Sequence, residues 1–188
     1  EADRYNQKLA ELGISFDMLG EAEKEALLID GKSYDELLLA EDSGVMGYLE
    51  IPEIRVKLPI YHGTGDFAIC NGAGHVEGSS FPIGGKGTHA VLSSHRGGET
   101  THAILFGHRG LPSAKLFTDL DQLEVGDTFQ ITVLDRVLVY EVTQTEVVLP
   151  EELNGLTAES DKDQVTLVTC TPYGVNSHRL LIHGERVQ

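Results

Sequence analysis

Apolar residues recur with two different spacings along the chain, which divide it into residues 1–42 and 43–188. In the first part, Tyr5, Leu9 and Leu12 are spaced as on one face of an amphipathic helix. Later apolar positions continue this pattern within an acidic segment that a turn signal interrupts. The spacing therefore predicts two or three helical pieces over residues 1–42, packed on or draped over the main body.

Residues 43–188 show the sequence pattern of a mostly β domain. Short runs rich in Val, Ile, Thr and Tyr alternate with turns that contain Gly or Pro. The predicted strands cover residues 48–51, 56–60, 90–93, 104–106, 129–134, 137–148, 165–170 and 179–183. About eight strands with few helices between them favour a mostly antiparallel barrel or sandwich.

Three local features refine this prediction. Residues 134–137 are expected to form a tight hairpin turn between two long strands. Ser113 is a candidate cap for a short helix with four apolar residues on one face, namely Leu116, Phe117, Leu120 and Leu123. The polar residues 151–162 are expected to form a long surface loop.

A tandem duplication lies within the β region. Residues 84–96 (GGKGTHAVLSSHR) and 97–109 (GGETTHAILFGHR) are identical at 8 of 13 positions. Solenoid repeats are longer and recur at least three times, so we interpret this pair as a local duplication. It predicts two similar strands, one of them an excursion or an added hairpin. Each copy ends in His-Arg and is followed by Gly, so the tripeptide His-Arg-Gly occurs twice.

Charge and composition exclude several classes of function. The chain carries 14 Lys and Arg against 30 Asp and Glu, a formal net charge of −16, which argues against a nucleic-acid or anionic-lipid surface as the main partner. No apolar run approaches the roughly 18–20 residues of a membrane span. The chain opens on Glu1 without a signal peptide, so we expect targeting and anchor segments to lie outside this sequence.

The two cysteines, Cys70 and Cys170, match neither a disulfide framework nor the paired Cys-x-x-Cys spacing of a zinc site. One bridge, buried thiols or a single reactive thiol remain as alternatives. No paired histidines at helical spacing and no acidic cluster indicate a catalytic metal, and no cofactor is predicted.

Cys170 and Arg179 stand at strand ends that a turn brings together. Cys170 ends an apolar run and is followed by Pro172 and Gly174, so its thiol is expected at the rim of a sheet, although a buried structural cysteine is a common alternative. Arg179 opens the next strand. An antiparallel pairing would place its permanent charge beside the thiol, where it could stabilise a developing oxyanion; the alternative is a surface ion pair. Cys70 lacks such a setting and is interpreted as structural.

Histidines complete this set of candidates. His95 and His108 each end a β-like run, and imidazole is the usual base or ion-pair partner in thiol catalysis. His89 and His102 are weaker candidates. His178 precedes Arg179 and is expected to face the other side of the strand, in a structural role.

Four segments closely resemble sortases, specifically the class C, pilin-polymerising group of Gram-positive bacteria. Residues 166–186 (TLVTCTPYGVNSHRLLIHGER) are similar to its Cys-to-Arg signature, and residues 107–121 (GHRGLPSAKLFTDLD) to its histidine segment. Residues 58–63 (LPIYHG) and 74–79 (GHVEGS) match its early strands. The resemblance runs from about Gly44 to Val187.

This resemblance implies a sortase-type closed β-barrel of about eight strands, with short helices and an N-terminal helical segment. It implies a cysteine transpeptidase in which Cys170 attacks the Thr–Gly bond of an LPXTG-like sorting signal and forms a thioester. The histidine would transfer protons, and Arg179 would orient the substrate and stabilise the oxyanion. The acceptor would be the amine of a pilin lysine, and the chain would be the extracytoplasmic part of a membrane-anchored enzyme.

Two departures from the family pattern leave questions open. The family has one His-Arg-Gly where this chain has two; Gly107 and the intact downstream segment favour His108 over His95 as the catalytic histidine. Class C members usually carry an Asp-Pro-aromatic lid motif, yet no proline precedes Pro52. Residues 13–42 could still cover the cleft through Phe16 and Asp17, or through Asp30.

Other functions remain as alternatives. One is a housekeeping-type sortase that anchors surface proteins to the cell wall, and another is a non-catalytic β-barrel binding module or adhesin with Cys170 merely buried. A papain-like protease does not fit, because Cys170 follows a strand rather than opening a helix.

Overall fold

Eight strands close into a barrel in the order β1-β2-β3-β4-β7-β8-β6-β5. The computed structural model describes residues 1–13, 19–39, 44–85, 101–110, 114–156 and 162–187. The strands are β1 (Val45–Ile51), β2 (Val56–His62), β3 (Ala73–His75), β4 (Thr101–Phe106), β5 (Thr128–Val133), β6 (Arg136–Val148), β7 (Asp163–Thr171) and β8 (His178–Arg186). The predicted mostly β fold of about eight strands is confirmed.

Most neighbouring strands are antiparallel, but β2 with β3 and β4 with β7 run parallel. The β4–β7 pair determines which segments meet at one rim of the barrel. Because the two strands run in the same direction, their carboxyl ends reach the same rim of the barrel. The residues that follow β4 are therefore brought to the end of β7.

Side chains alternate between the two faces of the barrel wall. Val165 and Leu167 of β7 belong to the large interior core, whereas Val168 joins Ile104 and Leu181 in a separate small cluster. That cluster lies on the outer face of strands β4, β7 and β8. Partly buried apolar residues pack against it, namely Val76, Phe106, Val148, Leu153 and Leu156.

The N-terminal region contains helices α1 (Ala2–Leu12) and α2 (Glu21–Ala26) and a 3-10 turn at Tyr34–Glu36, so the predicted helical pieces are confirmed within the described residues. Buried residues of this region belong to the same core as the barrel, namely Ala2, Tyr5, Leu9, Leu27, Ile29, Tyr34 and Leu37. Asp30 forms an ion pair with Arg4 of α1. Phe16 and Asp17 lie outside the described residues.

The hairpin prediction is confirmed, since Val133 pairs with Arg136 across a two-residue turn in which Leu134 has φ 54°. The predicted surface loop begins with a 3-10 helix, Pro150–Gly155. The predicted strand at residues 90–93 lies outside the described residues. Periodicity predicted neither helix α3 (Asp66–Asn71) nor strand β3, because both are too short to show a periodic pattern. Only the family resemblance at residues 74–79 pointed to a strand at β3.

The helix expected after Ser113 is largely wrong. Within residues 114–123 the structure has turns and a short 3-10 helix, Leu120–Gln122. The amide of Phe117 donates to the carbonyl of His108 at 3.1 Å instead of to a residue of its own segment. A tertiary hydrogen bond therefore replaces the helical one, although all four predicted apolar residues are buried. Ser113 itself lies outside the described residues.

No helix within the described ranges is long and apolar enough to cross a membrane.

Candidate active site

Cys170 and Arg179 are direct partners in the antiparallel pairing of β7 with β8. Cys170 is the penultimate residue of β7, and Arg179 is the second residue of β8. Side chains of directly paired residues lie on the same face, with Cβ atoms about 5 Å apart. The thiol and the guanidinium are thus neighbours, as the sequence predicted, and both residues are only partly buried.

His108 reaches the same rim from the neighbouring strand β4. The parallel pairing aligns Phe106 with Val168, and the amide of Gly107 donates to the carbonyl of Val168 at 3.1 Å. His108 and Cys170 each come two residues after an aligned pair, so the register brings them to adjacent positions. His108 is also only partly buried.

The three residues share the outer face of the barrel wall. Ile104, Val168 and Leu181 form the outer cluster, and Cys170 and Arg179 each lie two residues from one of its members. Alternation continued beyond the end of β4 places His108 on this face as well. The candidate site therefore lies at the rim end of this outer apolar cluster, outside the closed barrel.

The second copy of the duplication forms β4, and its sequence explains why. A Cβ atom at Gly107 would lie 2.6 Å from the ring of Phe117, so the backbone approach requires glycine. The first copy has Ser94 at the equivalent position and Ser93 where Phe106 packs against the outer cluster. The first copy would therefore fit this position poorly. His95 and His89 lie outside the described residues.

Arg179 is partly anchored and partly available. Its Nη1 donates to the carbonyl of Asn176, in the turn after β7, at 3.2 Å and to the carbonyl of His178, the first residue of β8, at 3.0 Å. Its Nε and Nη2 have no partner among the residues that the structure describes. The guanidinium is thus held by the turn while two of its nitrogens remain free to bind a substrate carbonyl.

The other histidines and Cys70 lie elsewhere. His178 pairs with Thr171 and its Nδ1 lies 2.8 Å from the hydroxyl of Ser177. His102 is buried, with Nε2 2.7 Å from the hydroxyl of Thr166. Cys70 lies in α3, and both cysteines are free thiols. A disulfide between the two cysteines is therefore not formed.

Sequence reasoning overlooked Arg109. Arg109 directly follows His108, and its side chain is only 7% exposed. Its Nη1 donates a hydrogen bond of 2.9 Å to Oγ1 of Thr171, the residue that follows Cys170. The available signal was its presence in both copies of the duplication, in His-Arg-Gly.

The loops on both sides of the site also contact each other. Tyr173, in the turn after β7, lies so close to Gly110 that a Cβ atom there would be 3.0 Å from its ring. Gly110 has φ 89°, a conformation that favours glycine. Within the described ranges, no group of three or more His, Cys, Asp or Glu residues is arranged to hold a metal ion.

Comparison with known proteins identifies relatives of the chain. A sortase domain family model matches residues 97–187. The crystal structure of sortase C1 from Streptococcus agalactiae superposes with a TM-score of 0.82 at 42% identity, covering 100% of this chain and 86% of that chain. Sortase C-1 from Actinomyces oris superposes with a TM-score of 0.69 at 46% identity, covering 79% of this chain and 76% of that one.

Curated relatives are more distant. Sortase D of Bacillus subtilis is 29% identical over 150 residues, which cover 78% of this chain and 66% of that protein. Sortase A of Streptococcus agalactiae is 30% identical over 141 residues, which cover 75% of this chain and 52% of that protein. The chain thus spans between about half and two thirds of the length of these two relatives.

Proposed function

The chain belongs to the sortase family, in its class C group, and we propose that it is a cysteine transpeptidase that joins an LPXTG-like sorting signal to an amine. The observation that supports this most is the direct pairing of Cys170 with Arg179 on the outer face of the barrel. The register that aligns β4 with β7 adds His108 beside them.

The first half of the reaction forms a thioester. The sulfur of Cys170 attacks the carbonyl carbon of the Thr–Gly bond, and the free guanidinium nitrogens of Arg179 stabilise the oxyanion that develops. When the C–N bond breaks, the imidazolium of His108 donates its proton to the leaving glycine amine. The threonine carbonyl is then bonded to Cys170.

The second half transfers the acyl group. An incoming amine attacks the thioester carbonyl while His108, now neutral, accepts a proton from it. The C–S bond breaks and regenerates the thiolate–imidazolium pair. With a lysine side chain as the acceptor, the product is an isopeptide bond.

The partly exposed apolar residues that pack on the outer cluster beside Cys170 are a suitable surface for the apolar residue of the sorting signal. Phe106, two residues before His108, is partly exposed, whereas Ile104 and Val168 are only 4% and 1% exposed. An extended peptide whose scissile bond is at Cys170 would run along β4 and β7 and bury its leucine against Phe106.

A pilin lysine is the acceptor that we favour, because the solved structures at 42% and 46% identity are class C enzymes. A housekeeping sortase, the alternative raised by the relatives named sortase A, would use a different amine. We also propose that the enzyme is anchored to the cell membrane and acts on its outer face, at the surface of a Gram-positive bacterium.

The decisive experiment compares Cys170→Ala with Cys70→Ala. We expect Cys170→Ala to lower the cleavage of an LPXTG peptide at least about a thousandfold, because the covalent step is lost. Cys70→Ala should retain cleavage within about twofold, since Cys70 lies in α3 and not at the rim. Cleavage is measured by mass spectrometry, with a lysine peptide or triglycine as the acceptor.

Each possible outcome of this experiment favours or excludes one of the alternative functions. Cleavage by Cys170→Ala at a rate near that of the parent would exclude Cys170 as the nucleophile. A parent that binds the peptide, cleaves nothing and is unaffected by alkylation of Cys170 would be a binding module. Exclusive transfer to triglycine would favour the housekeeping reaction over pilus assembly.

A further inference from the structure

The guanidinium of Arg109 connects its own segment to β7 and to residues 118–121, beneath the candidate active site. Its Nη1 donates to the hydroxyl of Thr171 at 2.9 Å, its Nε to the carbonyl of Thr118 at 3.2 Å and its Nη2 to the carboxylate of Asp121 at 2.5 Å. The side chain is only 7% exposed, so its charge is balanced mainly by these partners. A buried charge of this kind is strongly disfavoured without them.

The hydrogen bond between Arg109 and Thr171 lies just beyond the end of the β4–β7 backbone pairing. Backbone pairing of β4 with β7 reaches Phe106 and Val168, and the amide of Gly107 donates to Val168. Beyond that point side chains continue the connection. The hydroxyl of Thr169 donates to the carbonyl of Gly107 at 2.8 Å, and Arg109 binds Thr171.

His108 and Cys170 lie between these side-chain links. His108 is flanked by Gly107 and Arg109, whereas Cys170 is flanked by Thr169 and Thr171. The side chains of Arg109 and Thr171 belong to the opposite face of the wall from the candidate site. The Arg109–Thr171 hydrogen bond therefore holds the backbone next to His108 and next to Cys170, and it leaves the face that carries the candidate site unoccupied.

We propose that Arg109 is a positioning residue that sets the separation between the His108 imidazole and the Cys170 sulfur. This inference rests on the roles proposed above for these two residues. Proton transfer requires hydrogen-bond distances, and a displacement of about 1 Å can cost about a hundredfold in rate. Only a planar guanidinium has donors in the three directions that the partners occupy.

Steady-state kinetics of Arg109→Gln, Arg109→Lys and Thr171→Val test this role with an LPXTG peptide. We expect Arg109→Gln to lower kcat between about 10- and 100-fold with KM within about twofold, because the peptide surface is intact and only the reacting groups have moved. Arg109→Lys retains the charge and should recover part of the loss. Thr171→Val, which deletes one acceptor, should have a smaller effect in the same direction.

Arg186→Gln is the matched control. Arg186 also forms a buried pair with an aspartate of β7, Asp163, at 3.2 Å, but Asp163 is at the opposite end of the strand from Cys170, roughly 23 Å away at about 3.3 Å per residue. We expect the Arg186→Gln variant to be destabilised, as Arg109→Gln is, but to retain kcat within about twofold. Equal changes in kcat for the two variants at a temperature where both are folded would overturn the proposal, as would an unchanged kcat in Thr171→Val and Arg109→Gln.

A second measurement needs no peptide substrate. In a Cys70→Ser background, the rate constant for alkylation of Cys170 by iodoacetamide is measured against pH for Arg109→Gln, His108→Ala and the double variant. If Arg109 acts through His108, its effect on the pH profile disappears in the His108→Ala background. An effect of Arg109→Gln that is the same in both backgrounds would refute positioning, even if the parent cleaves no LPXTG peptide and the proposed function fails.

Discussion

A buried neutral imidazole connects the N-terminal segment to the barrel. His75 on β3 is fully buried, with Nδ1 2.9 Å from the hydroxyl of Tyr34 and Nε2 2.8 Å from the carbonyl of Ser80. Burial lowers the pKa of His75 to about 4, and the nearby His62 adds a smaller effect in the same direction. Protonation would charge a group that has no carboxylate among these contacts.

The shift of this pKa makes stability depend on pH. Between the ordinary histidine value of 6.5 and about 4, the unfolded chain binds more protons at His75 than the folded chain does. The contribution of His75 to the free energy of unfolding is therefore complete above pH 6.5 and is lost as the pH falls. We expect His75 to account for a loss on the order of 2 kcal/mol in the free energy of unfolding between pH 7.5 and pH 5.

Urea unfolding of the parent and of His75→Gln at several pH values measures this loss. The glutamine variant, less stable at pH 7.5, should show a smaller decrease on acidification. Part of the decrease should remain, because burial also lowers the pKa of His62. Parallel pH profiles for the two proteins would show that His75 does not carry the dependence.

At the scale of elements, one carboxylate joins both ends of the segment that contains the first copy of the duplication. Asp163 accepts from the amide of Gly85 at 3.0 Å and from the hydroxyl of Thr101 at 2.9 Å. The two residues that flank positions 86–100 therefore lie beside each other at the start of β7. A closed connection of this kind is tolerant of length changes, because the barrel fixes both of its ends.

Deletion of residues 88–100 should therefore leave the barrel intact. Lys86 and Gly87 would remain to join Gly85 to Thr101, and two residues bridge up to about 11 Å. We expect a Tm within a few degrees of the parent and retained peptide cleavage, because His108 and all of β4 are kept. Calorimetry and the cleavage assay measure the two outcomes.

The matched control deletes residues 97–109, which have the same length, and leaves His95 as the surviving histidine. Ser94 would then replace Gly107 against the ring of Phe117, where a Cβ atom has only 2.6 Å. This variant should be less stable by at least about 1–3 kcal/mol and less active. If the variant that lacks residues 97–109 were the more stable and the more active of the two, the catalytic role would belong to His95.

At the scale of the whole molecule, the helical segment and the barrel share one hydrophobic core. Tyr5 of α1 is 1% exposed, and its ring lies 4.8 Å from the ring of Phe81 and 6.1 Å from that of Tyr34. Asn6 adds polar contacts, accepting from the Phe81 amide at 2.7 Å and donating to its carbonyl at 3.0 Å. Since these contacts cross from the helix to the barrel, the two parts should unfold together.

Tyr5→Ala should lower the free energy of unfolding by about 3–5 kcal/mol in a single transition, because it leaves a cavity in the shared core. Leu12→Ala on the same helix is the control. Leu12 is 51% exposed, so a change of about 0.5 kcal/mol or less is expected. Coincident far-ultraviolet and near-ultraviolet circular dichroism transitions check cooperativity; an early separate transition that alone responds to Tyr5→Ala would contradict it.

The sequence by itself was sufficient for the elements with a strong local signal. The long strands β5, β6 and β7 and the hairpin at Leu134 follow from alternation and turn residues. The pairing of Cys170 with Arg179 was predictable for the same reason, because a tight turn between consecutive strands brings neighbouring segments of sequence together. Local interactions decide all of these features.

Tertiary structure decided the rest. His108 lies at the same rim as Cys170 only because β4 pairs in parallel with β7, a strand that lies about sixty residues further along the chain, and no local pattern encodes that register. The role of Gly107 depends on Phe117, and the contacts of Arg109 include Thr171, which lies 62 residues further along the chain. The chain specifies these residues one by one, but only closure of the barrel brings them within contact distance, where packing and hydrogen bonding act.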